Sequence, residues 1–425
     1  METFNKSSYS KRGIIALCSL VYFVSYFSRK DFAAVMAGMI TTGAISRENA
    51  GIIGTMLFAF YGAGQLISGY LGDKIKPKQL IIVGLTVTGV CNAIMPIAPE
   101  WAMIIIWGVN GLAQAMLWPP IVKILSYYLD HKTYVTANFL VTSAAHVATV
   151  LLYAFVPLCL SFMSWKAVFY TAAALALASM VVFAILMDII LPKAPSPDFE
   201  KPRATSEDGG DAIEEKQANL LTVLRNSGVF TVFVCIIVVG FLRDGIESWL
   251  PMLYAEAFNK DVSESTLVSI ILPIFSIISI GIVTVLHRRG AVRNEVVSSI
   301  VLFVISLVFA AALVFFVEAD GAFFRIASLF LTAFICGAMH GVNFLLISCL
   351  PGRFARIGRS ATVSGVCNSC VYIGAAISTY GIAVISERMG WSVTIATWCA
   401  ILVVGIIFAF LSKGKYATLL EKEKD

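Results

Sequence analysis

Charged residues are scarce in this chain. Only 13% of its 425 residues are Asp, Glu, Lys or Arg, while 59% are hydrophobic and the mean hydropathy is +0.86. Soluble globular domains carry about twice that share of charge, so the composition excludes one and indicates a chain that crosses a lipid bilayer many times. The net charge of +5 does not indicate nucleic-acid binding, because the bases lie in short loops without a zinc, helix-turn-helix or RNA-binding pattern.

Patterns typical of enzymes and of disulfide-stabilised proteins are also missing. The nine cysteines all fall in apolar stretches, away from any loop in which an oxidising compartment could pair them. Cys367 and Cys370 have a CxxC spacing, but without a second pair or histidine partners they are interpreted as packing residues. No apolar stretch combines a nucleophile with a base or has an HExxH-like pattern. We therefore expect no enzyme activity, no cofactor and no metal.

The chain consists mainly of long apolar stretches. At about 20 apolar residues for each crossing, the sequence predicts an all-α membrane protein with twelve transmembrane helices, here numbered spans 1 to 12. Their predicted bounds are, in order, residues 13–36, 50–72, 79–97, 101–129, 135–162, 168–191, 229–254, 267–286, 296–317, 322–350, 362–385 and 393–411. Residues 1–192 are predicted to form an N-terminal six-helix bundle and residues 221–425 a C-terminal one. Residues 193–220 are rich in proline and charge, which is typical of a solvated linker.

The loops on the two sides of the membrane differ in charge. Bases such as Lys76, Arg289 and Arg353 gather on one side, whereas the other side has acids such as Glu100 and Glu256. Basic loops stay in the cytoplasm during insertion. We therefore expect both termini and the linker to be cytoplasmic.

Two arginines interrupt the apolar pattern. Arg29 lies near the middle of span 1, followed by Lys30, and Arg243 near the middle of span 7. A guanidinium in hydrocarbon costs roughly 2.5–3.5 kcal/mol or more, so each is expected to face a watery cavity or a partner. The segments around them are similar, FSRKDF and FLRDGI, and lie about half the chain apart, as expected of a two-half repeat with a site between the halves. Two such arginines would bind a divalent anion, because each can donate to two oxygens of one phosphate group.

Asp244 and Glu247 follow the second arginine and leave another interpretation open. An ion pair of Arg243 with either acid would only hold the helices together. Neighbouring residues on a helix point about 100° apart, so we expect Asp244 not to neutralise Arg243 easily, whereas Glu247 can. Both acids are candidates for gating or for coupling to protons.

His146 lies in span 5 beside Thr142 and Ser143. A lone histidine in an apolar helix is more often a core residue, but small polar neighbours suit a cavity wall. There a histidine would sense phosphate protonation or accept a coupled proton. His340 in span 10 offers a weaker case.

Several motifs together resemble those of one family. GYLGDKIKPK at residues 69–78 resembles the loop signature of the major facilitator superfamily, in which Asp73 and Lys74 would latch the cytoplasmic gate. YFSRKDF at residues 26–32, NGLAQ at 110–114 and LRDG at 242–245 are similar to the first-, fourth- and seventh-helix motifs of the organophosphate:phosphate antiporters.

This resemblance implies the major facilitator fold, with two pseudo-symmetric six-helix bundles. It implies exchange of an organophosphate, such as a sugar phosphate or glycerol phosphate, for inorganic phosphate by alternating access. Substrate-binding residues implied by it are Arg29, Arg243, His146 and Tyr372, together with Lys30. A monomer in the inner cell membrane is also implied. Two alternatives stay open: a transporter-like receptor for sugar phosphates, and a proton-coupled symporter of organic anions.

Overall fold

In the computed structural model the chain is helical almost throughout. The structure describes residues 10–129, 131–190, 228–289, 291, 294–351 and 360–422. The predicted linker, residues 193–220, lies outside the described residues, so its boundaries stay a prediction.

The first half of the chain forms six spans. Their helices are, in order, Lys11–Thr41, Arg47–Lys74, Pro77–Ile94, Glu100–Ala115 with Trp118–Tyr128, His131–Phe162, and Trp165–Ile190. Span 4 is interrupted after Ala115, and its second helix begins with Trp118, Pro119 and Pro120. Proline suits the first turn of a helix because it has no N–H to donate there.

The second half of the chain forms spans 7 to 12. Its helices are, in order, Val229–Ala257, Val262–Val268 with Ile271–Arg288, Glu295–Phe316, Ala322–Asn343 with the π-helix Phe344–Cys349, and Ser360–Lys422.

The last of these helices crosses the membrane twice. Its 63 residues would extend about 95 Å at 1.5 Å for each residue, about three times the hydrocarbon thickness. Gly390 breaks it with φ 82° and ψ 177°, and this left-handed φ suits a residue without a Cβ. The helix therefore contains spans 11 and 12. Ten described stretches are long and apolar enough to cross a membrane, this helix counting as one. The last helix supplies two crossings, so these ten stretches make eleven. Span 1, whose charges lower its hydropathy, is the twelfth, and the predicted number of crossings is confirmed.

Contacts between spans of the two halves bring the halves together. Span 1 packs against span 7, span 2 against span 11, and span 5 against the start of span 8. Within the second half, spans 7 and 11 cross at glycines: a Cβ on Gly240 would lie 1.9 Å from the carbonyl oxygen of Val371. Such close contact of two backbones fixes where span 7 presents its side chains.

Candidate functional site

Arg29 lies inside the protein rather than in lipid, and its side chain is 6% exposed. The guanidinium carbon lies 4.2 Å from the ring centre of Tyr26 and 4.8 Å from that of Tyr61. Among the described residues, Arg29 has no carboxylate within ion-pair distance and no hydrogen-bond acceptor. Aromatic faces attract a guanidinium while leaving the N–H groups at its edge able to bind an anion.

Within the described residues, Arg243, unlike Arg29, has both a carboxylate partner and a neutral hydrogen-bond acceptor. Its Nη2 lies 2.6 Å from Oδ2 of Asp244, and its Nη1 donates to Oδ1 of Asn343 at 2.6 Å. The expectation that Asp244 would not neutralise Arg243 is therefore wrong. The helix fixes only the direction of each Cα–Cβ bond, and a long arginine side chain can bend round to the adjacent acid.

Asn343 is a site residue that the sequence analysis missed. It ends the α-helical part of span 10, directly before the π-helix Phe344–Cys349. Short π-helical segments are frequent at functional sites, because they turn a side chain away from the regular helix face. A polar residue within the apolar run GVNFLL was the available signal.

Glu247 faces the first half of the chain instead of Arg243. One carboxylate oxygen pairs with Lys30 of span 1, and the other lies 2.8 Å from Nε2 of His340. The sequence left an Arg243–Glu247 pair open, and among the described residues Glu247 pairs with Lys30 and His340 instead. Lys30 also lies 3.7 Å from Oδ1 of Asp244, and Tyr153 of span 5 donates to the backbone oxygen of Glu247 at 3.1 Å. A network of charged and polar groups thus joins the two halves.

His146 lies beside this network. Its ring centre is 5.7 Å from that of His340, and the two ring planes lie at 64° to each other. The side chain is 9% exposed, and its Nε2 has no hydrogen-bond partner in the described part of the chain. The structure therefore places this histidine where the halves meet, not in an apolar core.

Tyr372 packs beside the Arg29 site. Its ring centre is 4.4 Å from that of Tyr61, which contacts Arg29. Arg243 pairs with Asp244, which lies 3.7 Å from Lys30, the neighbour of Arg29. We call the region between Arg29, Lys30, Arg243, Tyr61 and Tyr372 the chamber, to which both halves contribute. Tyr61, also missed from the sequence, completes the aromatic wall.

The chamber is almost closed in this conformation. A cavity of about 20 Å³ lies beside Arg29 and Lys30, between the hydroxyl-bearing residues Ser248 and Thr379 and the aromatic side chain of Trp107. That volume holds about one water. A phosphate group therefore needs the surrounding side chains, or the halves, to move apart.

The structure also joins the halves at the end predicted to be non-cytoplasmic. Arg47 at the start of span 2 pairs with Glu256 at the end of span 7, and Glu256 accepts a hydrogen bond from Nε1 of Trp391 at 2.8 Å. Near them, Tyr380 lies 3.2 Å from Glu48. At the other end, the side chains of Asp73 and Lys74 lie outside the described residues, so their gating role stays a prediction.

Comparisons with known proteins agree with the motifs found in the sequence. The profile of the Major Facilitator Superfamily matches residues 18–379, a range that holds every chamber residue. The probable hexose phosphate transport protein of Chlamydia muridarum is 21% identical over 91% of this chain and 87% of its own length. Membrane sensor protein UhpC of Salmonella typhimurium is 24% identical over 61% of each chain.

A solved structure extends the likeness to the fold. It is that of a bacterial homolog of the human lysosomal transporter Spinster, in an inward-facing conformation. The match covers 96% of this chain and 99% of the homolog, with a TM-score of 0.73 and 14% identity. This likeness confirms the predicted twelve-helix architecture.

Proposed function

This chain belongs to the Major Facilitator Superfamily, and from that premise we propose that it exchanges an organophosphate for inorganic phosphate by alternating access. The organophosphate is a sugar phosphate or glycerol phosphate. The observation that carries the proposal is Arg29, a buried guanidinium without a carboxylate partner among the described residues, placed where the halves meet. A charge held so far from water is costly unless an anion offsets it.

Binding in this chamber involves a competition for cations. A phosphate monoester carries about −1.5 to −2 charges at neutral pH. Arg29 is ready to donate to it, whereas Arg243 is engaged with Asp244 and Lys30 with Glu247. The incoming anion therefore takes Arg243 and Lys30 from their carboxylates. The Lys30–Glu247 pair joins the two halves. When phosphate binds to residues of both halves, it replaces this ion pair as the link between them.

This competition gives the alternating-access cycle a physical basis. With substrate bound, the halves are linked through the phosphate and can rock around it. Without substrate, the released carboxylates and cations must pair again before the chamber closes. Return of the empty carrier is then slow, and a second phosphate compound is carried back instead.

The test is exchange in proteoliposomes loaded with inorganic phosphate. Arg29→Lys or Arg243→Lys should lose most uptake of labelled phosphate while the protein still folds, because lysine cannot donate to two phosphate oxygens in parallel. Arg289→Lys, in an exposed loop, is the matched control and should exchange normally. Near-normal exchange by either chamber variant would contradict the proposal.

A second candidate function is proton-coupled symport of an organic anion. Glu247 lies between Lys30 and His340, with His146 beside them, and such a group of titratable side chains suits proton transfer. In the same liposomes, uptake that stops when the proton gradient is collapsed and ignores internal phosphate would favour it. The name of the Salmonella relative makes a sensor a third candidate, which would bind phosphate compounds without counterflow.

We further propose that the protein is a monomer in the inner membrane with both termini in the cytoplasm. Basic loops on one predicted side and acidic loops on the other support this orientation.

A further inference from the structure

Glu247, Cys336 and His340 bring three kinds of metal-binding atom together. A carboxylate oxygen, the thiol sulfur and an imidazole nitrogen all lie within 4.8 Å of one another. Oε1 of Glu247 is 2.8 Å from Nε2 of His340 and 3.9 Å from Sγ of Cys336. Ligand atoms around a tetrahedral Zn²⁺ are roughly 3.3–3.8 Å apart, given bonds of about 2.0–2.3 Å. Small side-chain adjustments therefore bring these three atoms to that geometry.

A fourth candidate ligand, His146, lies beside this group and belongs to the other half of the chain. Nε2 of His146 is buried and has no hydrogen-bond partner among the residues that the structure describes. The ring lies 5.7 Å from that of His340, centre to centre. Two imidazoles, one thiolate and one carboxylate make a ligand set that suits Zn²⁺ and similar ions, whereas Mg²⁺ and Ca²⁺ prefer oxygen alone.

We propose that His146, Glu247, Cys336 and His340 form a binding site for a thiophilic divalent cation such as Zn²⁺, and that the bound ion arrests transport by tying the halves together. His146 belongs to span 5 and the other three ligands to spans 7 and 10. An ion held by all four prevents span 5 from separating from spans 7 and 10. The arrest of transport rests on the proposed function, whereas binding of the ion does not.

The charges balance when the ion binds. The Cys336 thiol releases its proton to solvent, so a thiolate and the Glu247 carboxylate offset the two charges of the ion. Lys30 must leave Glu247, and Asp244 offers it another carboxylate, 3.7 Å from its Nζ already. The cation thus takes the place of the Lys30 ammonium.

Binding is tested on the purified full-length protein in detergent, with Co²⁺ as the probe. Bound Co²⁺ should give a thiolate-to-metal charge-transfer band, and Zn²⁺ should displace it. Cys336→Ser should lose the band, whereas Cys91→Ser, which removes a buried thiol of span 3, should keep it. His146→Gln should keep the band but weaken Co²⁺ binding by roughly tenfold or more, since even a residue that only hydrogen-bonds to a metal ligand contributes 10–100-fold to affinity. A band that survives in Cys336→Ser, or Co²⁺ bound without a thiolate band, would overturn the site. If Cys336→Ser does not fold, Cys336→Ala takes its place.

Transport provides the second measurement. Zn²⁺ should inhibit phosphate exchange in proteoliposomes, a chelator should restore it, and Mg²⁺ should have no effect. Cys336→Ser should exchange phosphate normally but require roughly tenfold more Zn²⁺ for inhibition. Equal Zn²⁺ sensitivity in wild type and Cys336→Ser would refute the arrest. A thiolate band in a protein that exchanges no phosphate would keep the metal site and reject the proposed function.

Discussion

Lys30 and Glu247 form a buried ion pair between the halves, and their side chains are only 9% and 13% exposed. We predict that Lys30→Met lowers the free energy of unfolding by about 3–5 kcal/mol, because it leaves a carboxylate buried without its main cation. Lys30→Met/Glu247→Gln should recover most of the loss, since neither position then carries a charge. Chemical unfolding in detergent measures both changes.

The matched control is the more exposed pair Lys260–Glu264, whose side chains are 26% and 48% exposed. Lys260→Met should change stability by less than about 0.5 kcal/mol, because solvent screens such a pair. The buried pair would have no special role if Lys30→Met cost no more than Lys260→Met, or if the double variant were as unstable as the single one.

At the scale of single residues, the sequence shows which side chains matter better than it shows their partners. Arg29 and Arg243 stand out because a charge in an apolar stretch is rare and costly. Arg243 pairs with Asp244 rather than Glu247 because of its side-chain torsions. Spacing along a helix does not determine these torsions. Tyr61 and Asn343 were missed because a single tyrosine or asparagine is an ordinary residue until a guanidinium lies beside it.

At the scale of elements, glycines control how closely spans 7 and 11 pack. A Cβ on Gly374 would lie 2.0 Å from the carbonyl oxygen of Ile237, which is far inside contact distance. We predict that Gly374→Ala lowers the free energy of unfolding by about 1–3 kcal/mol or more, since the helices must separate to admit one methyl group. Thermal unfolding in detergent measures the effect.

Gly381→Ala on the same span is the control, because a Cβ there would have no heavy atom within 4 Å. It should be neutral, or stabilising by up to about 1 kcal/mol through helix propensity. Equal behaviour of the two variants would mean that the crossing of spans 7 and 11 is not tightly packed.

The length of each apolar stretch was enough to predict that the helices exist. Their irregularities were not predictable in the same way. The π-helix Phe344–Cys349 does not alter the apolar pattern, because a stretch of similar hydropathy continues through it. The break in span 4 has a local signal in Pro119 and Pro120, which lie in the first turn of its second helix.

At the scale of the whole molecule, the sequence predicts two related halves but not their relative position. The similar segments around Arg29 and Arg243 indicate a shared architecture. The open and closed conformations contain the same helices, so the hydropathy of the sequence does not indicate which conformation the protein adopts. In this structure the small cavity and the contacts of Arg47 and Glu256 describe a chamber shut at the end predicted to face outward.

The Arg47–Glu256 pair therefore offers a test of this closure. Arg47→Glu replaces an attraction between the halves by a repulsion, and a change of about 1 kcal/mol shifts the closed–open equilibrium about fivefold. We predict faster labelling of a cysteine introduced as Thr379→Cys, in the wall of the cavity, by an impermeant thiol reagent added from outside. The same reagent on protein without Thr379→Cys gives the background from the native thiols.

Arg47→Glu/Glu256→Arg restores opposite charges and should slow labelling again, though only partly, because Trp391 loses its acceptor on Glu256. If reversal of Arg47 alone leaves the labelling rate unchanged, this ion pair does not hold the outer end of the chamber closed.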